Sequence, residues 1–255
     1  VFINLKFNFF IENSSYDRIP TSMDTAIVIT DANIESYSSS GDGSVANPYI
    51  IEDLYINDTI SPVLEFEQVT NHFILRNSTL IGSTYGLYLD AVDPGCAKIE
   101  NCSISGSLII GAINTHDVTI CNNTFIGSTI TYLSGCTSMN FSYNILFLDG
   151  TGTIFKSSSN NLIFLHNLVF GNGAKISITG KEFSVKDNIL HNCGFWFSSD
   201  NFVTGEINDN YINQKPIGVF INTTNLIVDT NEYSQLIVFN CTNTLIEGKI
   251  SEKYA

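Results

Sequence analysis

One pattern recurs along this chain and limits what it can fold into: apolar, any residue, apolar, two of any kind, Asn, any residue, apolar. It reads Val118-Thr-Ile120-Cys-Asn-Asn123-Thr-Phe125 and returns as Met139-Asn-Phe141-Ser-Tyr-Asn144-Ile-Leu146. Leu162-Ile-Phe164-Leu-His-Asn167-Leu-Val169 and Phe183-Ser-Val185-Lys-Asp-Asn188-Ile-Leu190 follow. Later copies centre on Asn210 and Asn231 and a frayed one on Lys249, while earlier copies put Leu54, Ser78 and Cys102 in the Asn position. Successive anchors lie 24, 24, 21, 21, 23, 21, 22, 21 and 18 residues apart.

A period near 22 residues, built of short runs, is the mark of a solenoid. Within each copy the apolar positions alternate with period two, and no helical period appears. Leucine-rich repeats share the length but need a Leu-x-x-Leu-x-Leu frame, which is absent. Composition agrees: 34 Ile, 29 Asn, 27 Ser and 22 Thr stand against 8 Ala and 2 Arg, which favours strands over helices. The pattern therefore predicts an all-β parallel β-helix of about nine to ten coils. Coils stacked ~4.8 Å apart would make a rod roughly 45 Å long. The repeated Asn has a physical reason. The coil bends sharply there, which calls for a residue tolerant of left-handed backbone geometry. An inward amide at the bend can also bond the turn and the Asn above and below it. Asn123, Asn144, Asn167, Asn188, Asn210 and Asn231 are thus expected to form a structural ladder.

Residues 24–255 read as one β-helix domain, with a cap over 24–50 that begins as a strand at 24–35. Residues 1–23 form an extension. In it Val1, Ile3, Leu5, Phe7, Phe9 and Ile11 alternate onto one face, and residues 12–23 make an irregular linker. An exposed strand this apolar has to be buried. It folds back along its own solenoid, or it is donated to a neighbouring subunit, where a contact that does not close yields a filament, or it is a disordered or leftover signal segment.

The segment Gly41-Asp-Gly-Ser44 through Asn47-Pro-Tyr49-Ile-Ile-Glu52, with the Asn-containing coils from about 51 to 250, resembles the right-handed parallel β-helix proteins of the NosD-like and pectin-lyase-like superfamily, common among archaeal surface proteins. The resemblance implies a right-handed coil. It implies little about chemistry, because this scaffold hosts lyases, hydrolases, adhesins and structural parts. The Gly-His-Gly of polygalacturonases is missing, as is the calcium-binding Asp cluster with a basic partner of pectate lyases.

The formal charge of −14 disfavours nucleic acid as a partner. No apolar run is long enough to span a membrane as a helix. Eight Asn-x-Ser/Thr sequons, at Asn13, Asn57, Asn77, Asn101, Asn122, Asn140, Asn222 and Asn240, point to N-linked glycan and export. A start at Val1 fits a removed signal peptide or an arbitrary boundary. The six cysteines (Cys96, Cys102, Cys121, Cys136, Cys193 and Cys241) are compatible with disulfides, with Cys96 reaching toward Cys121 or Cys136, and show no metal spacing. The expected location is extracellular or at the cell surface.

One residue before the anchors, the stacked column runs Asn77, Asn101, Asn122, Tyr143, His166, Asp187, Asp209 and Thr230. His166, Asp187 and Asp209 are the candidates for acid–base catalysis, for a sugar-binding or calcium-binding ridge, or for a solvated turn column. Trp196 is a candidate sugar platform, and Glu65 with Glu67 marks an exposed acidic spot. No cofactor is expected. The favoured function is a non-enzymatic structural subunit that assembles with copies of itself through residues 1–11. The alternatives are a polysaccharide-active or carbohydrate-binding surface module, and a piece of a larger surface protein.

Overall fold

The computed structural model describes residues 21–23, 25–150, 153–157, 160–197 and 205–248. They form a parallel β-solenoid of about eight turns. Each turn has three flanks. The first is a short strand, repeated as Tyr49–Glu52, Phe73–Arg76, Ala97–Glu100, Thr119–Cys121, Asn140–Ser142, Ile163–Leu165, Ser184–Lys186 and Glu206–Asn208, all stacked in one sheet. A sharp corner leads to the second flank, and a gentler bend to the third. Long strands such as Ser103–Ile113 run through that bend, their first half on Thr79–Gly82 and their second on Tyr85–Asp90. Glycines line it because coils approach there backbone to backbone. A methyl group on Gly127 would lie 1.9 Å from the Gly106 carbonyl oxygen, and one on Gly106 would lie 2.3 Å from that of Thr84.

Alternation sorts the strands into a dry lumen and a wet surface. Phe125, Phe141, Phe164 and Phe183 are fully buried, as their inward positions predict. In the Phe141 row the lumen column runs Ile99, Ile120, Phe141, Phe164, Val185 and Ile207, each paired with the next. Aromatic packing continues sideways, with the Phe164 and Phe195 rings edge to face at 6.2 Å.

The ladder is a clamp rather than a simple stack. The Oδ1 of each Asn accepts the N–H of the rung residue in the preceding coil. Its Nδ2 donates to the carbonyl three residues before that rung. So Asn123 clamps Cys102 N and Ile99 O, and Asn144 clamps Asn123 N and Ile120 O. Asn167, Asn188 and Asn210 repeat the geometry on Phe141 O, Phe164 O and Val185 O. Each amide thereby closes the corner of the coil before it, where backbone groups turn away from their strands and would otherwise be buried unpaired. Ser78 does part of the same work, accepting from Leu54 N.

Two expectations are corrected here. The left-handed residue is not the rung but the exposed residue before it: φ is +52° to +58° at Asn77, Asn101, Asn122, Tyr143, His166, Asp187 and Asp209. The rung Asn turns inward from ordinary backbone. Asn231, for its part, is no rung. After Ile212 the chain reverses at Asn213 and Gln214, both with positive φ, and Ile212 pairs antiparallel with Lys215. Beyond the hairpin, Lys215–Ile221 stacks on Gln235–Phe239 and Ile227–Asp229 on Leu245–Glu247, with a period of 18 residues. Asn231 lies exposed in a short 3₁₀ turn, its side chain on Asp229 Oδ1 at 2.8 Å. The main solenoid ends at Asn210, so it has fewer coils than the nine to ten expected.

At the other end, among the described residues, the strand expected at 24–35 forms only over Ile27–Ile29, followed by the helical turn Ile34–Tyr37 with Ile34 buried. Strand Thr21–Met23 pairs with Leu54–Ile56, on the same sheet as the second flank. Residues 1–11 lie outside the described residues.

Candidate functional site

His166, Asp187 and Asp209 stand side by side on the sharp corner, all exposed. His166 Nδ1 is 3.9 Å from Asp187 Oδ2, and the His166 ring stacks on Tyr143 with centroids 4.7 Å apart. Lys186 pairs with Glu206 of the next coil on the same flank. The column is convex and open to water. Its composition has a backbone cause: every member from Asn77 to Asp209 holds a left-handed φ, and Asn, Asp and His are the non-glycine residues most enriched there, while Thr230 lies instead in the 3₁₀ turn. Among the described residues, no group of three His, Cys, Asp or Glu side chains converges as a metal would require. Glu65 and Glu67 are half-buried rather than exposed, with Glu67 opposite Asp90; burial first, then the charges of Glu67 and Asp90, push the Glu65 carboxyl above its usual range.

The sequons fall into three settings. Asn57, Asn77, Asn101 and Asn122 are exposed, the last three on consecutive corners. Asn222 and Asn240 are exposed but joined by an amide hydrogen bond of 2.7 Å. Asn140 is half-buried, with its Oδ1 enclosed and unpartnered among the described residues. Asn13 lies outside them.

All six cysteines are free thiols, so the pairings open to Cys96 are not made. Four of them have a common role. Cys96, Cys102, Cys136 and Cys241 each donate S–H to the carbonyl two residues earlier and to one in the previous coil. Thr115 does the same with its hydroxyl. Burial raises the thiols of Cys102 and Cys193 from 9.0 to about 12. Their folded values lie above the unfolded ones, so both states keep the proton below pH 9. Between pH 9 and 12 only the unfolded chain releases it. Stability is therefore expected to fall through that window, by about 1.4 kcal/mol per pH unit for each thiol. Chemical denaturation at pH 8 and pH 10.5 checks this: the fall should be shallower in Cys102→Ser, and an equal fall in both proteins would refute it. No family model, curated protein or solved structure matches the chain.

The feature that sequence reading missed is on the second flank. Two outward columns run up its strands. One is mixed at first, with Asn57, Ile81 and Ser105, then becomes Ile126, Phe147, Phe170 and His191. The other starts at Tyr55, is polar at Thr79, Ser103 and Thr124, and then becomes Ile145, Leu168, Ile189 and Tyr211. Phe147, Phe170 and His191 stack face to face at 5.1 and 4.8 Å. Ile126 is 48% exposed, Phe147 43% and Tyr211 42%. In a chain of charge −14, these rows carry no Asp, Glu, Lys or Arg. The signal was legible as Ile-Leu-Phe-Leu at 145–148 and Leu-Val-Phe at 168–170, where apolar residues occupy both faces of one strand.

Proposed function

We propose that this chain is a non-enzymatic structural protein of the cell exterior, a self-assembling β-helix subunit whose N-terminal strand makes the subunit contacts. The observation that carries the reading is the apolar half of the second flank. Contiguous exposed apolar surface of this kind marks an interaction face in a protein kept in water. Residues 1–11 supply a matching apolar strand that also has to be covered. The chemistry-bearing column at the corner, by contrast, has a sufficient cause in its backbone angles. The resemblance to NosD-like and pectin-lyase-like β-helix proteins of archaeal surfaces fits an external scaffold, and the exposed sequons Asn57, Asn77, Asn101 and Asn122 fit N-linked glycan on it.

Negative-stain electron microscopy of the protein beside a version lacking residues 1–11 tests this. Filaments or sheets that vanish with the deletion are the expected result. Single short rods in both samples would overturn it. Attention would then turn to carbohydrate binding and cleavage at His166, Asp187, Asp209 and Trp196, the last 46% exposed with Lys175 Nζ 5.5 Å from its ring centre.

A further inference from the structure

Resting on that reading, we propose that the apolar half of the second flank, centred on Phe147, Phe170, Leu168 and His191, is the acceptor face, and that its occupant is residues 1–11 of a second copy stacked end to end on the first. Three observations point to this occupant. The first is where the segment departs. Strand Thr21–Met23 is the first row of the very sheet that bears the ridge, but it lies at the opposite end. In its own chain the segment would first have to cross three mixed rows, Tyr55 with Asn57, Thr79 with Ile81, and Ser103 with Ser105. In a head-to-tail stack it leaves the end of one subunit directly toward the apolar end of the next.

The second is reach. Strands Lys215–Ile221 and Gln235–Phe239 lie beyond Tyr211 in the same sheet, so two rows separate the ridge from the end of the described solenoid. At ~4.8 Å per row that is about 10 Å. Residues 12–20, fully extended, span at most about 30 Å, enough to cross those rows and a subunit junction. From Tyr211 back to Ile126 there are four row spacings, about 19 Å. The eleven residues of the segment extend to about 36 Å and cover that distance. The third is chemistry. Residues 1–11 carry Lys6 and no acidic side chain in a chain of charge −14. Their alternating apolar face meets rows free of carboxylates, while the corner beside those rows carries Asp187 and Asp209, which suit a nearby lysine.

A photo-crosslinking amino acid placed at Phe7 of the full chain, mixed with full chain grown in ¹⁵N, tests the assignment by mass spectrometry. Crosslinks joining light and heavy chains within residues 126–211 are expected. The charged pair Phe147→Asp with Phe170→Asp should raise the critical concentration for assembly by about a hundredfold, with an unchanged melting temperature. Crosslinks confined to one chain would overturn the second-copy occupant. Light–heavy crosslinks landing elsewhere would overturn the acceptor face and leave strand donation intact. No interchain crosslinks and no filaments would sink the assembly reading itself.

Discussion

Asn167→Leu is expected to lower the free energy of unfolding by about 4 kcal/mol, while Asn231→Leu leaves it within about 0.5 kcal/mol of the parent. The two residues hold the same position in copies of one sequence pattern, three repeats apart, but only one is a rung. Asn167 Oδ1 accepts from Asn144 N at 3.0 Å and from Asn144 Nδ2 at 3.1 Å, and its Nδ2 donates to Phe141 O at 2.9 Å. A leucine there orphans two buried backbone groups, Asn144 N–H and Phe141 C=O, at ~1–3 kcal/mol each. Asn144 Nδ2 keeps Ile120 O, and Asn188 Oδ1 keeps Asn167 N, so the damage stops at one corner. Guanidinium unfolding followed by circular dichroism gives the stability. Hydrogen exchange at the Asn144 amide gives the location, with protection lost there before it falls at Asn210. Equal effects at 167 and 231 would mean that the clamp contributes nothing beyond the strand ladder.

Why the pattern read true to Asn210 and false at Asn231 is instructive. The repeat records what a coil needs inside: an apolar residue every second position and an amide at the bend. Those demands are local and strong, so the rungs and the buried phenylalanines were legible. The reversal at Asn213 and Gln214 depends on two positive φ angles, which Asn tolerates and Gln rarely adopts. Spacing alone hid it, because Asn231 falls 21 residues after Asn210, as a further rung would. The closing interval of 18 residues was the trace of a different, smaller coil. At the corner the sequence left an acid–base, a binding and a solvated-turn reading open. Asn, Asp and His in register looked like assembled chemistry, although the left-handed turn selects those same side chains. The outward ridge was overlooked because one-sided alternation was sought, and strands apolar on both faces satisfy it on the inward side alone.

Two phenylalanines six residues apart should then give opposite results. Phe164 points into the lumen at 0% exposure, between Phe141 and Val185 and against Phe195. Phe164→Ala removes a ring from a column that cannot collapse along the axis, since strand spacing holds the neighbouring coils apart. The loss combines transfer and cavity terms, about 3–5 kcal/mol, with Phe164→Leu costing about 1–2 kcal/mol because most of the volume stays. In a solenoid the stability of a coil rests on its neighbours, so hydrogen exchange should speed up first in the strands at 140–142, 163–165 and 184–186. Phe170 sits on the outer face of the same coil, stacked between Phe147 and His191. Phe170→Ala should move the unfolding midpoint by no more than a surface substitution does, about 0.5 kcal/mol, and weaken assembly instead. Measured together, the pair separates what holds a coil from what holds copies together. A Phe164→Ala protein as stable as the parent would deny the packed lumen, and a Phe170→Ala protein that assembles unchanged would deny the ridge its partner.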